Sequence, residues 1–456
     1  MEPASPHPRT PAQSVHAPAA VGGAGLSGRA DSLDAVTHAV AQVREGLRGE
    51  RPNVVFLFLS VHHVHMARAV AAAVRAALGP EILLGVSGEG VVGGGAELEN
   101  TPGLALVGMH LPGVSMRAFR TDQWPAMKEP PTDDSHLRDI AASAGIGPGY
   151  RGTVLLADPF SVPMNAILPA LARARALTGP SGTPPIPPGE ANHAAPTPLP
   201  PIIGGLASAA KRPGGNVLIL NDSIANTGGI GVSFSGPIRI DAVVSQGCKP
   251  VGPPLVITSG KGQMVTGLGG RPAMHVLSEI IESLDEATRE RLRKGLFVGR
   301  AVSEYKDRFG RDDFLIRNVV GVEQSTGAIA VADLLRIGQT IQFHVRDEAT
   351  AGEDLSLLLD GQQLRDDPFA ALLFTCNGRG SRLFSKPHHD ATMISAAFAR
   401  PRESDPFAPV PDAPESRLAR KFMPLGGFFA GGEIGPIGDG VFVHGQTACL
   451  ALFRAG

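Results

Sequence analysis

No stretch of this chain reaches the roughly 18 consecutive apolar residues that a membrane-spanning helix needs, and no run of five or more basic residues occurs. The first absence leaves no candidate membrane span. The second, with Lys+Arg 41 against Asp+Glu 43 and a net charge of −2, argues against the phosphate-tracking surface of a nucleic-acid binder. Aromatics are scarce as well, at 5% with a single Trp, so the chain offers no platform for stacking bases. Cysteines are few: Cys248, Cys376 and Cys449 form no CxxC pair and are odd in number. That argues against a disulfide framework and for a reducing, cytoplasmic setting.

What the chain has in excess is glycine and proline, 57 and 40 of 456 residues, well above their usual joint share of about 12%. Tight turns and stiff connections are implied. Hydrophobic residues at 43% and charged ones at 18% mark a globular chain, and its length exceeds one ordinary core, so two domains of about 150–250 residues are expected. Residues 1–30, rich in Pro, Ala, Gly and His, have no apolar segment behind a basic start and read as a disordered tail rather than a signal peptide. The stretches 179–201 and 401–416 are Pro-rich, the second mixed with acids, and read as surface loops.

One order of elements recurs three times. Continuous apolar runs, the mark of strands covered on both faces, open the copies at 54–59 (VVFLFL), 153–157 and 372–375. A helical pattern follows each, at 66–78, 164–177 and 390–398. A strand then leads into a glycine-rich turn: GVSGEGVVGGG at 85–95, GGLASAA at 204–210 and GGFFAGGEIGP at 426–436. The copies close on further strands at 104–109, 230–234 (hairpin-like with 217–220) and 442–453. A helix at 32–47 precedes the first copy, with Leu33, Val36, Val40 and Val43 at helical spacing. Between the second and third copies lie a charged helix at 285–294 and alternating strands at 314–320, 329–331 and 340–345. The expected fold class is α/β, with mixed sheets flanked by helices.

The last turn concentrates chemistry. Within 426–436 Glu433 is the only charge, framed by small residues and by Phe428 and Phe429. Consecutive strand residues face opposite ways, so one of these two rings at most meets a ligand. His444 and Thr447 follow in VHGQT, and the run LLFTCNGRG at 372–380 places Cys376, Asn377 and Arg379 just after a strand, where open α/β sheets gather ligands. An Arg there can hold a carboxylate through two hydrogen bonds, or pair with an acid of the fold such as Glu433. Glu433 can receive a ligand ammonium or lock a turn through backbone N–H groups, and Glu89, beside Ser87, is its counterpart in the first copy. Cys376 with His444 as base and Asn377 nearby has the makings of nucleophilic catalysis, but a buried thiol after a strand is far more often inert packing. His62, His63 and His65 have metal-like spacing with no acid or cysteine beside them.

LGVSGEG at 84–90, GQTIQFHVRDEATAGED at 338–354, TCNGRG at 375–380 and GFFAGGEIGP with His444 and Thr447 together resemble the FIST family, its N-terminal domain in the first half and its C-terminal domain in the second. The resemblance implies a stand-alone bacterial protein of two FIST-like halves, a tail at 1–30 followed by domains at 31–247 and 248–456. It implies a signal-transduction role: binding of an amino acid or similar small polar metabolite, passed on through a separate signalling partner, with no catalysis and no cofactor. Ser87, Glu89, Cys376, Asn377, Arg379, Phe428, Phe429, Glu433 and His444 are the ligand-binding candidates. A haem-binding nitric-oxide sensor, held by one of the histidines, is the alternative that the family keeps open, and a cysteine-dependent hydrolase is a third reading.

Overall fold

One structural unit, used three times, accounts for most of the chain. In the computed structural model the described residues are 19–178, 199–304, 306, 308–310, 313–323, 325–401 and 420–456. The first unit runs β1 (Val21–Ser27), α1 (Ser32–Leu47), β2 (Val54–Ser60), α2 (Ala67–Leu78), β3 (Ile82–Gly88), the hairpin β4 (Gly90–Gly93) and β5 (Ala96–Glu99), and β6 (Leu104–His110). The second repeats it as β7 (Ser115–Arg120), α3 (Asp134–Ala144), β8 (Tyr150–Ala157), α4 (Met164–Thr178), β9 (Ile202–Leu206), the hairpin β10 (Leu218–Leu220) and β11 (Ser223–Ala225), and β12 (Gly229–Ser235).

The third unit opens with β13 (Ile238–Gln246) and is then interrupted. Inserted are β14 (Cys248–Lys261), β15 (Met264–Leu268), β16 (Arg271–Pro272), α5 (Ala273–Ser283), α6 (Glu286–Arg293), β17 (Leu296–Ala301), β18 (Phe314–Glu323), β19 (Ala328–Val331) and β20 (Thr340–Arg346). The unit resumes with α7 (Glu348–Gln363), β21 (Ala370–Cys376) and α8 (His389–Ala397), a short ribbon of β22 (Arg400–Pro401) and β23 (Arg420–Lys421), then β24 (Leu425–Ala430), the hairpin β25 (Glu433–Ile437) and β26 (Gly440–His444), and β27 (Thr447–Ala455).

Each unit pairs its second and third strands in parallel and closes with an antiparallel last strand. Each then gives its hairpin away. β4–β5 pairs onto β24, β10–β11 onto β3, and β25–β26 onto β9, so three six-stranded sheets are stitched in a cycle. One glycine shows the repetition at atomic level. Gly85, Gly204 and Gly427 each stand opposite a leucine of the parallel partner strand, Leu57, Leu155 and Leu373, and at the last two a Cβ would fall 1.8 Å from the leucine carbonyl.

The three sheets turn one face to a shared core, in which Phe56 and Phe58 meet Phe234, Phe374, Phe428 and Phe453. Their other faces bury against helices; Val55, Leu57 and Leu59 pack under α1 and α2. Alternate residues of β2 are thus dry on both sides, which is why VVFLFL carries no polar position. The insertion forms a closed barrel of its own. β14 pairs with β20 through its first half and with β15 through its second, bending at Pro250, Pro253 and Pro254 and at register shifts, devices that let one strand serve two edges. Val265, Leu268, Val298 and Phe343 fill it under α5.

The α/β class with mixed sheets and helices is what the structure shows. Three local expectations are corrected. The tail expected at 1–30 contains β1, paired with β6 over seven residues; Gly23 and Gly25 let α1 lie so close that a Cβ would come within 2.2 and 2.1 Å of the Val43 and Ala39 carbonyls, a packing role for residues read as loose chain. Residues 1–18 lie outside the described residues, as do 179–198 and 402–419, which hold most of the two expected loops. The strand expected at 442–453 breaks at Gln446, whose φ of 63° is left-handed, so β26 and β27 join different sheets. The stretches 217–220 and 230–234 do not pair with each other. α5 precedes the charged helix and was not read from sequence. A cut at 247 also does not separate two independent bodies, because donated hairpins and the shared core join them.

Candidate functional site

The loop after β21 turns sharply through Gly378 and Gly380 and drives Arg379 inward. Arg379 is fully buried and grips Asp390, the second residue of α8, with Nε and Nη2 at 2.7 and 2.8 Å. Asp390 also accepts the Thr375 hydroxyl at 3.0 Å and lies 3.1 Å from His389 Nδ1. Burial alone would raise this carboxyl, but the Arg379 guanidinium outweighs it and holds Asp390 well below the usual carboxylate range. The Arg379 fork is thereby occupied by an acid of the fold, other than the Glu433 that the sequence suggested.

Glu433 sits at the start of β25, opposite His444 in register. Its Oε2 accepts the Thr447 N–H at 3.2 Å and hydroxyl at 2.7 Å, while burial pushes the carboxyl up to about 8. His444 is buried too; burial pushes the imidazole down to about 4. Its Nε2 lies 3.1 Å from the Gly435 carbonyl, which only accepts, so this nitrogen carries the proton and is not a base toward Cys376. The Cys376 thiol, raised far above its ordinary value by burial and then by Glu433, accepts the Gly378 N–H at 3.3 Å. Its acidic neighbour Glu433 hinders ionisation further, and an undissociated thiol is a poor nucleophile.

The remaining candidates divide. Ser87 is buried and accepts the Val217 N–H at 2.8 Å. Phe428 stacks on Phe58 at 5.6 Å in the shared core. Phe429, Glu89 and Asn377 do meet, with Arg382 and Glu99, at a crevice of about 10 Å³, room for about one water. This is where the glycine-rich turns of the two halves come together, and it is too small for a metabolite. His63 is buried with Nδ1 2.9 Å from the Ser32 hydroxyl, and burial lowers it. Among the described residues no three His, Cys, Asp or Glu side chains could share a metal ion, and neither His63 nor His444 lines the larger cleft described next.

Sequence reasoning singled out Glu89 but missed Glu97 and Glu99, the other acids that hold this loop. The donated hairpin β4–β5 and the residue before it reach the loop with three glutamates: Glu89 pairs with Arg382, Glu99 accepts the Ser381 N–H and hydroxyl at 2.9 Å each, and Glu97 accepts the Ala391 N–H at 3.0 Å. Glu97 is 4% exposed, and burial together with the Asp390 charge pushes it up to about 7. Glu97 and Glu99, at alternate positions of one short strand, were the available signal.

Beside the loop, on the side of the inserted barrel, opens a cleft of about 540 Å³. Arg291, Lys294 and Arg346 come from the barrel and the helix before it, Arg382, Lys386 and His389 from the loop and α8, and the N-terminal turn of α7 forms the third wall. Arg291 is paired with Asp347 at 2.8 Å. Arg346 is aimed by the Lys294 and Gly378 carbonyls at 2.8 and 3.3 Å and by the Phe297 ring. Among the described residues no carboxylate lies within ion-pair distance of Lys294, Arg346 or Lys386. Gly352 leaves the space beside His389 open, since a Cβ there would stand 3.3 Å from Nε2. Such an arrangement can receive an anionic group.

No helix of the described residues is long and apolar enough to cross a membrane. A family model for the FIST N domain matches residues 53–271 and one for the FIST C domain matches 273–436. An uncharacterized protein of Mycobacterium tuberculosis is 34% identical over 441 residues, covering 94% of this chain and 99% of its own. An uncharacterized Mycobacterium bovis protein is 32% identical over 440 residues, covering 94% and 98%. Among solved structures, a cyanuric acid hydrolase from A. caulinodans matches 50% of this chain and 72% of its own at 11% identity and a TM-score of 0.23, too weak a likeness to carry chemistry across. The chain belongs to the FIST family, whose domains are taken as sensory domains for small ligands in signal transduction.

Proposed function

We propose that this protein is a sensor that holds a small polar metabolite with at least one anionic group, an amino acid being one such compound, in the cleft between the inserted barrel and the loop after β21, and signals occupancy to a separate protein. One observation carries the reading: the cleft is walled by three parts of the fold, cross-linked by the Arg346–Gly378 and Glu348–Ser385 hydrogen bonds. Arg346 belongs to the barrel, Gly352 to α7, and Arg382 and His389 to the loop clamped by Glu89, Glu97 and Glu99 of the first unit. A ligand bridging these walls favours one seating of the barrel over others, and that differential affinity is what a sensor transmits. No prosthetic group enters this reading; a Soret band at one haem per chain in reconstituted protein would replace it with gas sensing.

The test is a thermal-shift screen of amino acids and other small carboxylates, with hydrogen exchange on any hit. A ligand is expected to raise the melting temperature in a dose-dependent way and to protect residues 346–352 and 382–389. In Gly352→Leu, which fills the cleft beside His389 while replacing a weak helix former, the unliganded protein should stay folded and the shift should vanish. An unaltered shift in that variant moves the ligand elsewhere.

A further inference from the structure

The cleft's own charges say more about its occupant than the family does. We infer that it takes a small organic phosphate, a phosphomonoester whose dianionic head sits among Lys294, Arg346 and Lys386; this rests on the cleft being the ligand site proposed above. Five cationic side chains, Arg291, Lys294, Arg346, Arg382 and Lys386, line it against two carboxylates, Asp347 and Glu348. Both acids are engaged: Asp347 with Arg291 and as the cap of α7, accepting the Thr350 N–H at 3.2 Å, and Glu348 with the Ser385 N–H and hydroxyl at 3.0 and 2.7 Å. A ligand ammonium therefore finds no free acid, whereas a dianion finds three cations that, among the described residues, have no carboxylate within ion-pair distance.

The head-group preference follows from geometry. Arg346 is the preorganised member, its guanidinium fixed by two carbonyls and a ring while its charge stays unopposed. A fixed fork suits a tetrahedral oxyanion, and two lysines add point charges that follow a dianion's oxygens. The N-terminal turn of α7, a helix 16 residues long, borders the same cleft, adding the positive end of a helix dipole. At about 540 Å³ the cleft exceeds what inorganic phosphate fills. The neutral remainder of the ligand has Leu383, Ala349 and the open face of Gly352 to rest on.

Isothermal titration of the full chain tests this with four probes: glucose 6-phosphate, glutarate, glutamate and glucose. Glucose 6-phosphate is expected to bind, weakening steeply as salt is raised, with glucose silent and glutamate the weakest of the charged probes. Lys294→Ala and Lys386→Ala, both exposed and off the packed core, should each weaken it by about tenfold or more. Arg346→Lys should weaken it while keeping the charge, because the fork is lost. Tighter binding of glutarate than of the phosphate ester overturns the inference in favour of dicarboxylates. Binding of glutamate alone, with protection at 346–352 and 382–389, overturns it while leaving the sensor reading standing. No binding by any probe, or binding that the three variants do not alter, overturns it as well, and silence of the wider metabolite screen would take the sensor reading with it.

Discussion

Residues 376–391 hold charge in two settings a few residues apart. In one, Arg379 and Asp390 are both buried and hydrogen-bonded to each other at 2.7 and 2.8 Å; in the other, Arg382 and Lys386 border an open cleft in which three cations lack a carboxylate partner. The glycine-rich frame surrounds the first and made it look like a binding site. Burial forces a charge to find its partner inside the fold, and a charge so matched has little left for a ligand. A cleft in water tolerates unpaired cations because solvent screens them, and such cations keep their capacity to bind. The buried pair, in which Arg379 spends Nε and Nη2 on Asp390 and leaves Nη1 without a partner, is therefore architecture, and the trio in the cleft is the candidate function.

The contrast breaks most visibly at Arg379. Arg379→Ala should destabilise the protein by about 3–5 kcal/mol in urea unfolding at neutral pH, since it strands Asp390 in the interior. A loss under 1 kcal/mol would mean that the pair is wetter than the structure shows.

Next in size is a pH effect at Glu97. Its carboxyl is raised in the folded protein from 4.5 to about 7, so the folded state binds this proton more tightly than the unfolded state. No cost arises below about pH 4.5; as pH rises through the window from 4.5 to 7 the cost grows, and above it the cost stays constant. Glu97→Gln should therefore match wild type near pH 4 and exceed it by about 3 kcal/mol at pH 8. A gap independent of pH would place the titration elsewhere.

A chemical probe sharpens the comparison without a mutation. The buried, undissociated Cys376 thiol should react with iodoacetamide at neutral pH far more slowly in native protein than in urea-unfolded protein, read by mass spectrometry. Fast native labelling of Cys376 would reopen the hydrolase reading. The smallest expected effect is at the exposed lysines: Lys294→Ala and Lys386→Ala should each change stability by no more than about 0.5 kcal/mol, while altering ligand binding. A large loss of stability on either would make these side chains structural.

Much of the fold could be read along the chain. The runs at 54–59, 153–157 and 372–375 are apolar at nearly every position because β2, β8 and β21 are covered by helices on one side and by the common core on the other. Their glycine-rich successors were visible as repeats because Gly204 and Gly427 answer one steric demand. β1 was misread because Gly23 and Gly25 serve contact with α1, a need that no local pattern reveals. At the site, sequence found Arg379 and Glu433 as isolated charges but had no means to supply Asp390 and Thr447 as their partners. Glu89, Asn377 and Phe429 did converge, on a crevice too small for a metabolite.

The sequence by itself determined the alternation of strands and helices, the threefold order of units and the family, because apolar periodicity and glycine spacing are local properties that burial enforces residue by residue. Only the tertiary structure decided which charges are spent and which are free. Lys294, Arg346 and Lys386 stand 52 and 40 residues apart along the chain and share a cleft because an inserted barrel folds back on a loop that the first unit's hairpin clamps. A charge takes its role from its nearest neighbours in space, and those neighbours exist only once the chain has closed.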